Sequence, residues 1–327
     1  MIYAQLPAEG DHTGRPLPFY LAMEEWLARR PGHESYFFMW QVDPTVICGR
    51  HQDVELETDL GFCRSHGIRV VRRKSGGGCV YADRNNIMMS YITPSVDVVT
   101  TFAEYTSGVA AMLRSIGLDA TADTSRNDIM ISGRKVSGNA FYHLPGRSIV
   151  HGTMLYDTDL RHMANAITPS RSKLESKQVQ SVESHITTLN RHIDMDIDDF
   201  NRYAISRLTD TEITLEPAMI REIEEIERPY YAPEWIFGRR SNATIHACRR
   251  IEGVGEPEIG IRLDEERIAD IDITGDFFLL SDLDSALLDR LRGVRYTRDD
   301  ITRALADTDT SQIIAGLSTL QFIDLII

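Results

Sequence analysis

Two segments of the chain place apolar residues three and four positions apart, which is the spacing of a helix that buries one face. In the first segment, residues 17–30, polar residues separate the apolar positions and predict an amphipathic helix. The second segment covers residues 101–116, where Thr101 is expected to cap the helix and Gly117 to end it. Further helices are predicted near residues 159–166, 196–208 and 216–227.

Runs that are rich in aromatic and β-branched residues predict the strands. The longest covers residues 36–49 and ends at the break Cys48-Gly49. Residues 127–156 predict three short strands, because turn residues at Ser132-Gly133 and Leu144-Pro145-Gly146 divide them. Other short strands are predicted at residues 68–71, 79–81 and 87–92.

The pattern changes after about Ala247. Residues 259–263 and 268–273 have the composition of strands, and helical patterns follow near residues 282–292 and 298–306. A chain of 327 residues is also too long for one small core. We therefore predict two domains, residues 1–246 and a smaller α+β domain of residues 247–327.

Composition and charge exclude several classes of protein. The formal net charge of −14 argues against a general nucleic-acid binder, because neutralising phosphates requires a basic surface. No apolar run is long enough to span a bilayer and no secretory signal opens the chain, so a cytoplasmic protein without a membrane partner is expected. The four cysteines (Cys48, Cys63, Cys79 and Cys248) form no C-x-x-C pair, which argues against a zinc site or a disulfide framework.

Basic residues concentrate near residues 64–74, although the protein as a whole is acidic. Such a local cluster suits a small anionic ligand better than a polymer. The chain has only four lysines against 31 arginines, so a lysine can be retained for its compact ammonium group. Genomic arginine bias is the alternative explanation. The members of the cluster are Arg64, Arg69, Arg72, Arg73 and Lys74.

Three consecutive glycines follow this cluster in the sequence Arg72-Arg73-Lys74-Ser75-Gly76-Gly77-Gly78. Their N–H groups can form an anion-binding concavity, with arginines beside it to neutralise charge. The spacing matches neither the phosphate-binding loop of P-loop proteins nor the dinucleotide-binding fingerprint. A flexible hairpin connection is the alternative, but three glycines between two strands are costly in entropy, which favours a functional loop.

Lys135 lies in a strand-like segment. Regular alternation would place Lys135, Ser137 and Asn139 on one face of the strand, and Val136 and Gly138 on the other. An inward lysine can hold a carboxylate or a phosphate, and a glycine lets a ligand lie against the strand. A solvated lysine at a sheet edge is the alternative.

His151 and Thr153 are two residues apart on a predicted strand, so both can hydrogen-bond a ligand from the same side. A buried histidine with a purely structural role is the alternative. The spacing of His143 and His151 does not suit a metal site on one element. Cys79 adjoins the glycines, and we interpret it as a small core residue rather than as a nucleophile.

Together and in this order, these segments resemble the lipoate–protein ligase A family. Residues 72–81, 133–140 and 151–155 carry the resemblance, and it continues at residues 44–50, 177–182 and 234–238. The segment Gly275-Asp276-Phe277-Phe278 resembles the accessory C-terminal domain of that family. The resemblance therefore spans nearly the whole chain.

The resemblance implies an α+β fold of the class II aminoacyl-tRNA synthetase and biotin ligase type, a mixed β-sheet with helices, followed by a small α+β domain. It implies an enzyme that forms lipoyl-AMP from lipoate and ATP, and then transfers the lipoyl group to a carrier lysine. Adenylation converts the carboxylate into a mixed anhydride with a good leaving group. No covalent enzyme intermediate is needed, so positioning and charge stabilisation supply the rate.

The resemblance also implies roles for individual residues. Lys135 is the expected catalytic residue, bridging the lipoate carboxylate and the α-phosphate. Mg²⁺ is expected to travel on the ATP phosphates, with Asp128 as a candidate protein ligand. The expected adenylate-binding residues are Tyr81, Asn86, Asp128 and Lys135. The expected lipoate-binding residues are Trp40, Arg72, Ser75, Gly76, Gly77, Gly78, Gly138, Ala140, His151 and Thr153.

Two positions depart from the family pattern. Ala82 stands where the family usually has a histidine, between Tyr81 and Asp83. Tyr142 replaces an arginine that often follows the Gly-x-Ala stretch. Both substitutions are expected to affect adenylate contacts or acyl preference.

Two alternative functions stay open at this point. An octanoyl transferase of the same fold would need a cysteine thioester, for which only Cys79 is well placed. A non-catalytic lipoate- or lipoyl-adenylate-binding protein would explain Ala82, although Lys135 and the C-terminal segment argue against it.

The expected partners are the lipoyl domains of 2-oxoacid dehydrogenase complexes and the glycine-cleavage H protein, which tend to be acidic around their lysine. A monomer is expected.

Overall fold

The computed structural model describes residues 1–7, 15–95, 97–123, 127–167, 185–238, 243–281 and 283–327. The chain divides into two compact units. The first unit comprises Met1–Cys48, Val54–Arg73 and Val80–Ile236, and the second comprises Gly49–Asp53, Lys74–Cys79 and Phe237–Ile327. Lys74–Cys79, called the glycine loop below, therefore belongs to the second unit. The predicted division between residues 246 and 247 stays a prediction.

The described strands of the first unit form two sheets. The larger sheet is mixed, with the strand order β11-β1-β2-β6-β10-β9-β8-β7. Within it β1 pairs in parallel with β2 and β11, and the other neighbours are antiparallel. The smaller sheet has the order β4-β3-β5. The strands are β1 (Ile2–Gln5), β2 (Tyr36–Trp40), β3 (Thr45–Cys48), β4 (Arg69–Arg72), β5 (Val80–Ala82), β6 (Asn86–Thr93), β7 (Ala120–Asp123), β8 (Asp128–Ile131), β9 (Arg134–Leu144), β10 (Arg147–Leu155) and β11 (Thr211–Thr214).

Helices of the first unit lie between these strands and after them. They are α1 (Leu17–Ala28), α2 (Val54–Glu57), α3 (Leu60–Ser65), α4 (Val98–Arg114), α5 (Leu160–Ala166), α6 (Ile197–Leu208), α7 (Pro217–Glu227) and α8 (Pro233–Ile236). Short 3₁₀ turns occur at Leu189–Arg191 and Arg228–Tyr231. Among the described residues, no helix combines the length and the apolar character needed to cross a bilayer.

Helix α1 is buried along its whole length, so the prediction of an amphipathic helix is wrong at this position. It packs against β6, β10 and α7, and its side chains belong to the main core of the first unit. A helix that is covered on all sides cannot leave a polar face in water. The adjacent Glu24 and Glu25 therefore lie inside the protein and need internal partners.

Helix α4 begins earlier than the sequence predicts. Asp97 is its N-cap, because the Asp97 carboxylate accepts a hydrogen bond from the Thr100 N–H at 2.7 Å. Thr101, the predicted cap, instead lies inside the first turn and donates its hydroxyl to the Asp97 carbonyl oxygen at 2.6 Å. The helix ends at Arg114, and Gly117 follows with a φ of +86°.

The three strands predicted for residues 127–156 are confirmed as β8, β9 and β10, together with both turns. Strands β9 and β10 are 11 and 9 residues long rather than short. Between β8 and β9, Ser132 and Gly133 both have positive φ, as a tight two-residue hairpin requires.

The second unit contains a small antiparallel sheet with helices and has its own hydrophobic core. The strand order is β12-β13-β14. Its elements are β12 (Ile245–Cys248), β13 (Glu258–Asp264), β14 (Arg267–Thr274), α9 (Leu283–Ala286), α10 (Arg298–Ala304) and α11 (Thr319–Ile326). The predicted α+β class is confirmed for both units.

Gly108 lies within α4, and a Cβ added there would meet no atom within 4 Å. We expect Gly108→Ala to raise the free energy of unfolding by about 0.5–1 kcal/mol, because alanine loses less backbone entropy in a helix. Urea unfolding followed by circular dichroism measures the change. Gly117→Ala is the contrasting control and should destabilise, because its φ of +86° is unfavourable for alanine. A destabilised Gly108→Ala variant would contradict this description of α4.

Candidate active site

Most of the predicted site residues of the first unit lie on one face of the large sheet. Directly opposed residues of antiparallel strands share a face, as do alternate residues along a strand. The register opposes Gly138 to both Thr153 and Asp128, and Ala140 to His151. On the other side of β10, Thr153 lies opposite Met88 of β6, and Met88 lies opposite Trp40 of β2, so Trp40 is on the same face. This surface, called the site face below, carries Trp40, Asn86, Asp128, Lys135, Gly138, Ala140, His151 and Thr153.

Lys135 reaches the site face because β9 contains a bulge. Ile129 pairs with Ser137 whereas Met130 pairs with Lys135, which leaves Val136 as an extra residue. An extra residue reverses the alternation of side chains along a strand. The prediction that Lys135 and Ser137 share a face is therefore wrong.

The ammonium group of Lys135 is held against Asp128. The Nζ–Oδ1 distance is 2.8 Å, and the side chains are 38% and 11% exposed. A Cβ added to Gly138 would lie only 2.7 Å from the same Nζ atom. The missing side chain at Gly138 thus lets the lysine extend across the strand. The result is a partly exposed positive charge in a defined position, which an anionic ligand can approach.

Buried hydrogen bonds connect four side chains on and above the site face. Trp40 Nε1 donates to Ser90 Oγ at 2.9 Å, and the Ser90 hydroxyl donates to Glu24 Oε1 at 2.6 Å. His151 Nδ1 lies 2.9 Å from Glu24 Oε2. The Trp40 ring is also stacked on Tyr20, with ring centroids 4.8 Å apart. This network, called the Glu24 network below, holds Trp40 and His151 in fixed orientations.

Sequence reasoning missed Glu24 and Ser90. A signal was present, since two adjacent glutamates interrupt an otherwise apolar helix and both are 0% exposed in the structure. Charged side chains are almost never fully buried unless they are paired. Glu25 is indeed paired with Arg29 at 3.1 Å and accepts a hydrogen bond from the Tyr230 hydroxyl.

Tyr81 and Asn86 lie where the small sheet meets the large one. Asn86 Nδ2 donates to the Tyr81 carbonyl oxygen at 3.0 Å. The Tyr81 hydroxyl and Asn86 Oδ1 are buried atoms with no hydrogen-bond partner in the described part of the chain. Burial and the nearby Asp83 carboxylate raise the pKa of Tyr81, so the phenol is neutral. An unmade buried hydrogen bond costs about 1–3 kcal/mol, and a polar ligand could supply the missing partners.

Asp83 has a structural role, because its side chain is bonded to backbone groups. Its carboxylate accepts hydrogen bonds from the N–H groups of Asn85 and Asp159, both at 2.9 Å. Burial raises the pKa of this carboxyl group above its usual range. Asp83 therefore ties the turn before β6 to the start of α5.

Arg72 and Arg73 are buried, and their guanidinium groups donate hydrogen bonds to backbone carbonyl oxygens. Arg72 Nε donates to the Ile236 oxygen at 2.9 Å, and Arg73 Nη1 donates to the Ile47 oxygen at 2.9 Å. The other two arginines of the basic cluster are exposed. The cluster at residues 64–74 is thus not one continuous basic surface, because its central arginines support local structure.

The glycine loop packs within the second unit against the segment that follows β14. The Gly77 N–H, at a φ of +83°, donates to the Phe277 carbonyl oxygen at 2.9 Å. A Cβ added to Gly76 would lie 2.3 Å from that oxygen. Glycine is required at both positions, by conformation at Gly77 and by the close approach of backbone at Gly76. In this conformation the Gly77 N–H already has a protein acceptor.

A second loop of the same unit, Gly49–Asp53, meets the same segment. The Gly275 N–H donates to the His51 carbonyl oxygen at 2.8 Å. The His51 ring stacks on Phe277, with centroids 5.2 Å apart and planes 17° apart. The family-like motif around Phe277 therefore organises two loops that are distant from it in sequence.

Cys79 ends the glycine loop and is half-buried. Within the described ranges, no group of three or more His, Cys, Asp or Glu side chains is arranged to hold a metal ion. The family-like residues 177–182 lie outside the described part of the chain.

Comparison with known proteins adds to this geometry. Residues 16–209 match the family model of the lipoyl protein ligase A/B catalytic domain, and residues 241–326 match that of the bacterial lipoate protein ligase C-terminus. Lipoate-protein ligase LplJ of Bacillus subtilis is 30% identical over 318 residues, which cover 94% of this chain and 95% of that protein. The chain belongs to the lipoate–protein ligase family. It is thus an enzyme of the ligase class, as predicted.

Other relatives and solved structures support the same family membership and fold. Lipoate–protein ligase 1 of Staphylococcus aureus is 30% identical over 88% of this chain and 90% of that protein. A lipoate-protein ligase A bound with ATP is 25% identical, covering 72% of this chain and 98% of that one, with a TM-score of 0.62. LipL1 of P. falciparum in complex with lipoate, at 17% identity, shares the fold over 99% of this chain and 97% of that one, with a TM-score of 0.77.

The glycine loop offers a matched pair of substitutions. Gly76→Ala should destabilise the second unit, because the new Cβ would collide with the Phe277 carbonyl oxygen at 2.3 Å. Gly78→Ala is the control, since its Cβ would come no closer than 3.9 Å to any neighbour. Hydrogen exchange of residues 74–79 and 275–278 measures the effect. We expect at least about tenfold faster exchange in Gly76→Ala, corresponding to about 1.4 kcal/mol. Equal behaviour of the two variants would contradict the described packing.

Proposed function

We propose that this chain activates lipoate with ATP and transfers the lipoyl group to a lysine of a lipoyl carrier domain. The observation that carries the proposal is the Lys135 ammonium group, held by Asp128 beside Gly138 in a chain of this family. A lipoate carboxylate oxygen attacks the α-phosphorus of ATP and pyrophosphate leaves. The carrier lysine then attacks the acyl carbon of lipoyl-AMP, so that an amide forms and AMP leaves.

Lys135 contributes charge at the point where the two anions meet. A carboxylate and a triphosphate repel each other, and negative charge is redistributed around the α-phosphate as the new bond forms. A compact ammonium group placed in advance stabilises both states without reorganising at the moment of reaction. Asp128 holds this group in place until the ligand anions compete for it.

The acyl chain of lipoate is assigned to the site face between Lys135 and the Glu24 network. Ala140 has a small side chain on β9 beside Gly138, over which the Lys135 ammonium group lies, and His151 and Thr153 stand on the neighbouring strand. The ring of Trp40 supplies an apolar wall. Because hydrogen bonds and stacking fix this ring, the chain can bind to it with little loss of side-chain freedom.

The adenylate is assigned to the region of Tyr81, Asn86 and Asp128. The buried hydroxyl of Tyr81 and amide oxygen of Asn86 lack partners in the described residues, and a nucleotide offers both donors and acceptors. Mg²⁺ would be held mainly by the ATP phosphates. Asp128 is a carboxylate on this face, but its bond to Lys135 makes it a poor metal ligand while that bond persists.

Several parts of the assignment rest on resemblance. We predict that lipoate contacts Arg72, Ser75 and the three glycines. We also predict a cytoplasmic location and a monomeric state. The carrier domains proposed are those of 2-oxoacid dehydrogenase complexes and the glycine-cleavage H protein.

The first test is lipoate-dependent exchange of pyrophosphate into ATP by the purified chain with Mg²⁺. We expect exchange with lipoate and none with biotin, since adenylation precedes any carrier. Cys79→Ala should retain most of this activity, because an adenylating ligase needs no thioester. Absence of exchange from folded protein, combined with Cys79-dependent transfer from an octanoylated carrier, would establish the transferase alternative.

Lys135→Ala should lower the exchange rate by about a hundred- to a thousandfold, the usual effect of removing one preorganised charge stabiliser. Lys135→Arg should not restore it, because a planar guanidinium does not replace a compact ammonium above Gly138. Single-turnover formation of lipoyl-AMP measures the chemical step directly. A loss below tenfold in Lys135→Ala would remove this residue from the mechanism.

A further inference from the structure

The residues of β9 on the site face increase in size with distance from Lys135. Gly138, Ala140 and Tyr142 follow one another on this face, and Tyr142 lies opposite Ile149 of β10. The Lys135 ammonium group lies over Gly138, and Tyr142 is four residues farther along, about 13 Å at the usual rise of a strand. This length is comparable with that of an extended lipoyl chain. Tyr142 thus stands where the distal end of a bound acyl group would lie.

The Tyr142 hydroxyl is buried and has no hydrogen-bond partner in the described part of the chain. Two buried carboxylates lie near it, but the Glu24 network already uses one, and Glu25 is engaged by Arg29 and Tyr230. Burial, together with Tyr230 and these two glutamates, raises the pKa of Tyr142 well above its usual range. The phenol is therefore neutral, and its hydroxyl has no acceptor among the described residues.

An unsatisfied buried hydroxyl is unfavourable, and phenylalanine would fill the same space without it. A ligand group that accepts a hydrogen bond from this hydroxyl would satisfy it. Tyr142 as a whole is partly exposed, although its hydroxyl is buried. Its centroid lies 6.1 Å from that of His151. Reorienting this side chain would break no hydrogen bond between its hydroxyl and the described residues.

We propose that Tyr142 is a specificity-determining residue that closes the acyl site and donates its hydroxyl to a dithiolane sulfur of bound lipoate. This inference rests on the proposed function. Sulfur is a weak hydrogen-bond acceptor, and it also makes favourable contacts with aromatic rings. The terminal methyl group of octanoate accepts no hydrogen bond. Tyr142 therefore favours lipoate over octanoate.

The test compares pyrophosphate exchange with lipoate and with octanoate in the full chain and in Tyr142→Phe. We expect the ratio of kcat/KM for lipoate to that for octanoate to fall about three- to tenfold, the effect of losing one neutral hydrogen bond. The change should lie in KM for lipoate, with kcat and the octanoate constants unaltered. Thermal stability should not decrease, because the substitution removes an unsatisfied hydroxyl.

The matched control is Tyr105→Phe. Tyr105 is a buried tyrosine of α4 that stacks on Tyr91, a β6 residue on the opposite face of the sheet, and its substitution should leave the ratio unchanged. Tyr142→Ala should in addition admit longer straight-chain acids such as decanoate, because it removes the end wall.

An unchanged ratio in Tyr142→Phe, or equal losses for both acids, would overturn the role of Tyr142 and leave lipoate activation intact. Failure of the unsubstituted chain to exchange with either acid would instead contradict the proposed function. The two failures are therefore distinguishable in the same assay.

Discussion

A glutamate in the middle of a fully buried helix constrains much of the first unit. Glu24 has no access to water, and leaving a carboxylate unpaired in a protein interior costs several kcal/mol. Ser90 and His151 must therefore stand within hydrogen-bond reach, which fixes α1 over β6 and β10. Through Ser90 the same constraint orients the indole of Trp40. A polar requirement of the core thus arranges the wall of the proposed acyl site.

Next to this region, one extra residue in β9 decides where the ammonium group of Lys135 lies. Without the bulge at Val136, Lys135 would point to the face that α4 covers. With it, the ammonium group lies over Gly138 and against Asp128 on the site face. Bulges commonly redirect side chains beside active sites, and this one couples the register of a hairpin to the position of the proposed catalytic group.

The glycine loop illustrates a different kind of constraint. Its glycines allow backbone to approach backbone, as Gly76 and Gly77 do at the Phe277 carbonyl oxygen. A motif that resembles an anion-binding loop in sequence is thus also a packing element of the second unit. Ligand binding by the Gly77 N–H would have to replace this existing hydrogen bond.

The sequence by itself determined the class of fold, most helices and strands, the two hairpin turns around β9 and the ligase family, because periodicity, turn residues and ordered motifs are local properties. It also identified Lys135, His151, Thr153 and Trp40 as candidates. Only the tertiary structure decided that Asp97 rather than Thr101 caps α4, that α1 is buried all round, and that Glu24 is the centre of a network. The bulge that turns Lys135 towards Gly138 could not be predicted from the sequence either. It depends on the pairing of β9 with β8, and the local composition does not indicate it. Burial and strand register arise from contacts between distant segments, and for that reason a local pattern cannot specify them.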